Sequence, residues 1–371
     1  MKPKILFILH LPPPVHGAGL MGDYIRQNEK INENFECDYI NLSASKNVET
    51  IGKLSIQKFL FFFKLLFSVT KALVRKKYNV CYVSITSKGS AFYKDLCVVA
   101  ILKLSRKKIL LHFHNKGVAE AAKKNFFRHQ MYRFVLGGAK TKIILLSERL
   151  YYDIEAYVKK ENVFYCPNGI PDVNNINRNY TKDTNGPARL LFLSNMMHAK
   201  GVYVLVEGCS ILKSRGHSFE CHFVGDWLDI QESSFNTKVS DSGLSNFIYS
   251  HGKKFNEEKQ LFYQQSDIFV FPTLNEAFGL VILEAMQSGL PVIASDEGGI
   301  PDIIADQETG FIVPKNDPVQ LADKLSSLIN NPSLRETMGL AGKKRFKDHF
   351  TLQKFENRFI HILQEVTGHT L

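Results

Sequence analysis

Phe271-Pro272-Thr273-Leu274-Asn275-Glu276-Ala277-Phe278-Gly279-Leu280-Val281-Ile282-Leu283-Glu284 joins a strand end, a short polar loop and a helix start. The apolar run Asp267–Phe271 reads as a buried strand that ends in a proline. The loop delivers Glu276. A helix is expected to begin near Phe278 and to carry Glu284. On one continuous helix the two glutamates would stand about 80° apart and could not share a face. They make a pair only if Glu276 lies on the loop and Glu284 on the helix, so that one ligand over the helix start meets both. The backbone N–H groups of Phe278, Gly279 and Leu280 are expected to be free there, which suits anionic or hydroxyl-rich ligands. Two solvated glutamates flanking an amphipathic helix are the plain alternative.

The rest of the chain places this stretch in an architecture. The first half alternates strand-like runs at Lys4–Leu11, Cys37–Leu42, Val80–Thr86, Lys108–His114, Lys142–Leu146 and Val163–Cys166 with amphipathic helical stretches. A second alternation has strands at Leu190–Leu193, Glu220–Val224, Phe247–Tyr249, Ile268–Phe271, Val292–Ala294 and Phe311–Val313. Such alternation predicts parallel sheets with helices on both faces. The fold class is therefore α/β, with two doubly wound Rossmann-like domains facing a cleft. The expected domains are residues 1–170 and 189–350, joined by a polar linker over 171–188. A C-terminal helix over 351–371 is expected to pack back toward the first domain. Ligands of such sheets bind at the carboxyl ends of the strands.

Several motifs fall at those ends. Leu190–Ser194 runs into Asn195-Met196-Met197-His198-Ala199-Lys200-Gly201, and a helix over Val202–Lys213 follows. A lysine beside a glycine at a helix start suits a diphosphate, through the ammonium charge, the close backbone approach and the helix dipole. A lone Lys-Gly is more often an ordinary surface pair. Phe223-Val224-Gly225-Asp226 and His251-Gly252-Lys253 end the next two strands, and plain strand-to-loop turns explain them about as well. Gly289-Leu290-Pro291-Val292, Gly298-Gly299-Ile300-Pro301-Asp302 and Gly310-Phe311 follow in order.

Taken together, over roughly residues 189–350, these elements resemble the retaining glycosyltransferases of family 4 (glycosyl transferases group 1), with their E-x7-E motif and two-domain GT-B architecture. The resemblance implies a metal-independent transfer of sugar from a nucleotide-sugar, UDP-linked by expectation, with retention at the anomeric carbon. It implies that Lys200 holds the donor diphosphate, that Glu284 binds ribose hydroxyls and that Glu276 holds sugar hydroxyls beside the N–H groups of Phe278, Gly279 and Leu280. Gly225 and Gly252 would lie by the nucleotide base. The family places an arginine five residues before the lysine, where this chain has Asn195, and a glutamate where it has Asp302.

In the first domain, Pro12-Pro13-Pro14-Val15-His16-Gly17-Ala18-Gly19 precedes a helix expected to start near Leu20. Gly17 and Gly19, with His16, form a candidate phosphate or acceptor loop. The dinucleotide fingerprint G-x-G-x-x-G is not completed, which disfavours a nicotinamide or flavin enzyme. His112 and His114 alternate along a strand and so face one way. The resemblance implies that His114, at the strand end, faces the donor sugar, and it assigns no such role to His112. A structural histidine capping the strand is the competing reading.

Charge is uneven. Residues 1–180 hold 29 Lys and Arg against 13 Asp and Glu, whereas residues 181–371 hold 18 against 23. A basic half points to an anionic partner. The segment Ser55–Lys77 carries Phe59-Leu60-Phe61-Phe62-Phe63-Lys64-Leu65-Leu66-Phe67 among Lys53, Lys58, Lys64, Lys71, Arg75, Lys76 and Lys77. Its lysine-broken apolar runs are too short to span a bilayer. They suit a helix that lies on anionic lipid, or one packed on the sheet with lysines outward. No nucleic-acid recognition module is recognisable. The N-terminal apolar run is too short for a signal peptide and reads as a strand. The six cysteines include no C-x-x-C pair and suit reduced, buried thiols. No metal-ligand spacing is present, so no cofactor or metal is expected.

The expected protein is a cytoplasmic glycosyltransferase, peripheral on the inner face of the membrane. It would act on a glycan or lipid-linked acceptor in capsule or O-antigen synthesis. A nucleotide-sugar 2-epimerase of the same shape and a non-catalytic binding protein on the same scaffold remain as alternatives.

Overall fold

The computed structural model describes residues 2–13, 16–43, 56–173 and 186–369. Pro14 and Val15 of the first glycine loop, Lys53 and Ser55 before the aromatic segment, and residues 174–185 of the expected linker lie outside the described residues. The chain divides into two compact units, one of Met1–Asn168 with Phe355–Leu371 and one of Gly169–Lys354.

The first unit is built on a six-stranded parallel sheet. Its strands are β1 (Lys4–Leu9), β2 (Glu36–Asn41), β3 (Val80–Ile85), β4 (Lys108–Phe113), β5 (Thr141–Leu145) and β6 (Val163–Tyr165), in the spatial order β2-β1-β3-β4-β5-β6. The second has β7 (Ala188–Leu193), β8 (Phe219–Val224), β9 (Ile248–Ser250), β10 (Ile268–Phe271), β11 (Val292–Ser295) and β12 (Gly310–Val313), in the order β12-β11-β10-β7-β8-β9. Ladder pairs such as Phe7↔Tyr82 and Val270↔Ile293 are parallel. All six residues of β3 and all four of β10 are buried. Runs of this kind form only where helices cover both faces of a parallel sheet.

Each order has one reversal. The first chain half runs from β1 out to β2 and returns to the other side of β1 for β3. The second runs β7-β8-β9 outward, then returns to the far side of β7 for β10. At such a switch point the connecting loops leave in opposite directions, and the crevice between them is where doubly wound folds bind ligands.

The helix Leu352–Thr367 places its residues from Phe355 onward in the first unit. Phe359 lies against the rings of Phe7, Tyr82 and His112. Residues just after Asn168 belong to the second unit instead. Ile170 exchanges backbone hydrogen bonds with Phe350 and Leu352, and Gln287 donates to the Pro171 carbonyl at 2.7 Å. All six cysteines are free thiols, four of them buried. Among the described residues no helix is long and apolar enough to cross a membrane.

Candidate functional site

The loop after β7 and the loop after β10 meet at the second unit's switch point. Gly201 forces them together. It sits at φ +75°, and a Cβ there would fall 1.9 Å from the Pro272 carbonyl oxygen. Three bonds converge on the Ala199 carbonyl: the Thr273 hydroxyl at 3.1 Å and the N–H groups of Leu274 and Asn275 at 2.9 and 3.1 Å. This clamp carries Lys200, at the end of a short turn, to Glu276. The ammonium lies 2.8 Å from Glu276 Oε2 and 5.8 Å from the centre of the Phe271 ring. Both side chains are mostly buried, so the pair is better shielded than a surface ion pair.

The other oxygen of Glu276 accepts the N–H of Ala277 at 2.9 Å and of Phe278 at 3.3 Å. The Phe278 N–H, expected to be free, is therefore held by the loop's own carboxylate. The helix begins at Leu280, two residues later than expected, because Gly279 at φ +97° is its cap. Gly279 and Leu280 remain at the helix start. The Glu276 N–H in turn donates to Glu297 at 3.3 Å, and buried Glu297 is balanced by Lys315 at 2.7 Å.

Glu284 is on the helix Leu280–Gln287, but its partners are not Glu276 or Lys200. Its carboxylate is tied to Lys259 at 2.7 Å and accepts the Tyr263 hydroxyl at 2.7 Å, both from the helix Asn256–Gln265. Burial, and then the Glu284 charge, raise the Tyr263 phenol well above its usual range, so it stays a donor. Glu284 is thus held in one orientation by two groups that carry no motif signal.

Gly225 follows β8 and Gly252 follows β9, and the Gly225 N–H donates to the Gly252 carbonyl at 3.0 Å. A Cβ on Gly225 would fall 1.7 Å from the Ser194 carbonyl oxygen, so only glycine allows the β7 and β8 loops to touch. Asn195 is half-buried at this contact. Beside it, His222 Nδ1 and His251 Nε2 are 2.9 Å apart, a pairing the sequence did not suggest.

In the first unit the glycine loop is shorter than expected. The helix runs Gly17–Gln27, so Gly17 and Gly19 lie in its first turn rather than before it. His16 is the cap, with Nδ1 accepting the Gly19 N–H at 3.1 Å. A histidine with a hydrogen-bonding ring nitrogen can take the place of the usual Ser, Thr, Asp or Asn at a helix start, and motif patterns do not search for it. His114 lies just past the end of β4. Its ring centre is 4.1 Å from that of His112, whose Nδ1 is 2.8 Å from the Tyr82 hydroxyl. His10, at the end of β1, lies near His16, with ring centres 5.8 Å apart. Burial, and secondarily His16, push the His114 imidazole down to about 3. Burial lowers His16 as well, and burial followed by Lys94 and the other imidazoles holds His10 well below the usual range. The histidines of this cluster are therefore neutral. Asp153 fixes the following loop by accepting the N–H groups of Gly117, Val118 and Ala119 at 2.7 to 3.0 Å. Among the described residues no group of three or more His, Cys, Asp or Glu gathers as metal ligands.

The geometry thus brings Lys200 to Glu276, Asn195 to Gly225, Gly225 to Gly252, and His16 to the neighbourhood of His114. It sets Glu284 in a pairing of its own. What the arrangement offers is a mostly buried cation, two fixed carboxylates and a helix start at a sheet switch point. That set can hold an anionic group beside hydroxyls.

Residues 174–345 match the family model described as Glycosyl transferases group 1. The chain is 30% identical over 249 residues to a capsular polysaccharide biosynthesis glycosyltransferase, CapM, of Staphylococcus aureus, covering 62% of this chain and 63% of that protein. It is 30% identical over 186 residues to an amylovoran biosynthesis glycosyltransferase, AmsK, of Erwinia amylovora, covering 48% of this chain and 45% of that one. The chain therefore spans less than two thirds of either relative. Among solved structures, a sucrose-phosphate synthase from Thermosynechococcus elongatus superposes with a TM-score of 0.76 at 18% identity, over 99% of this chain and all of that one.

Proposed function

From a chain whose residues 174–345 belong to the glycosyl transferases group 1 family, we propose a retaining glycosyltransferase that moves a sugar from a nucleoside-diphosphate donor, of the UDP class, to a glycan hydroxyl. The names of the relatives support an acceptor in capsular or exopolysaccharide synthesis. The basic first half of the chain is the ground for a lipid-linked acceptor presented at an anionic membrane surface. The observation that carries the reading is the Lys200–Glu276 pair at the switch point of the second sheet.

The chemistry required is stabilisation of a departing diphosphate. Lys200 supplies the charge, and its present partner, Glu276 Oε2, marks where an anionic oxygen fits. Donor binding shifts the ammonium to the phosphates and frees that carboxylate oxygen for sugar hydroxyls. Glu276 keeps its orientation throughout, because its other oxygen is held by the Ala277 and Phe278 N–H groups and its backbone by Glu297. Glu284, fixed by Tyr263 and Lys259, accepts from ribose hydroxyls. His114 is a candidate sugar contact as a neutral imidazole. No residue of this set acts as a covalent nucleophile, and the lysine's charge makes a metal unnecessary.

The test is donor binding by calorimetry and transfer to a glycan acceptor, with Lys200→Ala and Glu284→Gln. Glutamine keeps an acceptor for Tyr263, so the fold survives. Each change removes a charge-assisted hydrogen bond of about 1.5–3 kcal/mol, a loss of roughly tenfold to a hundredfold. A chelator should leave turnover unchanged. Wild-type transfer rates in both variants would sink the site. Conversion of donor alone to an epimer would favour the epimerase, and binding without transfer or hydrolysis would favour a binding protein.

A further inference from the structure

We infer that Lys259 is a further ribose-binding residue: its ammonium and the Glu284 carboxylate form a donor–acceptor couple that reads one ribose hydroxyl from both sides. The inference rests on the reading of Glu284 as the ribose acceptor. It adds a second residue and a basis for selecting ribose over deoxyribose.

The pair is placed by two helices that begin where strands end. Lys259 is the fourth residue of Asn256–Gln265, which follows β9 and the Gly252 loop. Glu284 is the fifth residue of Leu280–Gln287, which follows β10. Lys259, Gln260 and Tyr263 share one face of the first helix and meet Glu284 and Ser288 of the second. Tyr263 is fully buried, with its ring centre 5.8 Å from that of Phe269, so it is a rigid anchor. Lys259 and Glu284 keep 30% and 23% of their side-chain surface open, so a ligand can reach both.

Stability alone does not account for a lysine at this point. Nearby, Lys254 and Glu258 form a surface pair at 3.4 Å, with Glu258 65% exposed. A pair of that kind contributes little and implies no function. Lys259 and Glu284 are closer, at 2.7 Å, more buried, and 25 residues apart in sequence. The two helices are already tied by the Tyr263 hydroxyl and by the contact of Gln260 with Ser288. A partly desolvated ion pair gains little over an apolar contact of the same size.

Hydrogen-bond capacity decides what the couple takes. An ionised carboxylate has about four acceptor positions, and an ammonium has three hydrogens. Tyr263 occupies one position on Glu284 Oε2, and Lys259 occupies one on Oε1. Each oxygen keeps a position, and the ammonium keeps hydrogens, while the ion pair stays intact. A hydroxyl both donates and accepts. One that donates to Glu284 Oε1 can therefore accept from Lys259 in the same place. A phosphate oxygen has no proton for Glu284, and a deoxy carbon offers neither bond. A vicinal diol fits best, with its second hydroxyl on the remaining position of Oε2. The ligand class is thus a ribonucleoside diphosphate.

Calorimetry on the whole protein tests the couple. UDP, ADP and GDP are compared first. The tightest is then taken with its 2′-deoxy and 3′-deoxy analogues to the wild type, Lys259→Met and Lys259→Arg. In the wild type, loss of the hydroxyl that is read should weaken binding about tenfold or more. Lys259→Met should weaken the ribonucleotide about fivefold, less than a buried charged bond because the pair is partly exposed. The same variant should bind the deoxy analogue that lacks this hydroxyl as the wild type does. Lys259→Arg keeps the charge and the donors and should recover most of the loss. Melting temperatures check the folds, and Lys259→Gln takes the place of Lys259→Met if that variant does not fold. Equal losses for ribo- and deoxynucleotide, or no loss, would overturn the couple and leave Glu284 as the ribose residue. A wild type that binds both deoxy analogues as tightly as the ribonucleotide, or binds none of the three diphosphates, would overturn the reading of Glu284 and this inference with it.

Discussion

At the residue scale, Asn195 is the departure with the clearest consequence. It is half-buried where the β7 and β8 loops touch, on the same loop as Lys200. An arginine there would add a planar, bidentate cation to a site served by one ammonium. Asn195→Arg is expected to tighten nucleoside diphosphate binding by about tenfold, the scale of one charged hydrogen bond. Calorimetry giving equal or weaker affinity would show that the guanidinium cannot reach the phosphates from this loop. The histidines set a second expectation. His10, His16, His112 and His114 all have imidazoles lowered chiefly by burial. An unfolded chain protonates them near 6.5, while the folded one does not. Stability is therefore complete above about pH 6.5 and falls as pH drops, for His114 until about 3. Each such imidazole costs about 1.4 kcal/mol per pH unit in that window. The melting temperature should hold above about pH 7 and fall below about pH 6, less steeply in His114→Asn. No fall between about pH 7 and 5 would mean that these rings take up protons in place.

At the element scale, the site is a pair of loops pressed together by glycine. Gly201 is both a left-handed cap and a contact point with Pro272. Gly201→Ala must open the loop that carries Lys200, at a cost of roughly 1–3 kcal/mol in backbone strain alone. The melting temperature should fall and donor affinity with it. An alanine variant that binds donor normally would show that the Lys200–Glu276 distance does not depend on this clamp. The E-x7-E spacing was legible because a strand end and a helix start both leave local marks. The true start of the helix was not, since it depends on Gly279 acting as cap while Glu276 holds the Phe278 N–H. Lys259 and Tyr263 were invisible for another reason. They reach Glu284 from a separate helix, and nothing local in Asn256–Gln265 records what lies across from it.

At the scale of the whole molecule, charge acts over longer distances than any single contact. The net charge of +11 is concentrated in the first 180 residues. Adsorption to phosphatidylglycerol vesicles should weaken as salt rises, because the Debye length shrinks from about 10 Å at 0.1 M to about 3 Å at 1 M. Each basic residue near the surface contributes about 1 kcal/mol, so a handful holds the protein reversibly. Co-sedimentation that is unaffected by salt would assign the binding to the aromatics alone, and equal binding to neutral vesicles would remove charge from the account.

Composition and periodicity alone determined two parallel α/β alternations, their twelve strands, and the loops bearing Lys200, Glu276 and His114. These follow from hydrophobic runs and turn residues, which are local properties of a chain. Only the tertiary structure decided that Lys200 pairs with Glu276 and that Glu284 is held by Tyr263 and Lys259. It also decided that four histidines stay neutral in one cluster around buried His112, and that the aromatic helix buries Leu65 and Val69 while exposing Phe59, Phe63 and Phe67. Strand order and burial are set by which distant segments pack against each other, and no window of sequence contains that.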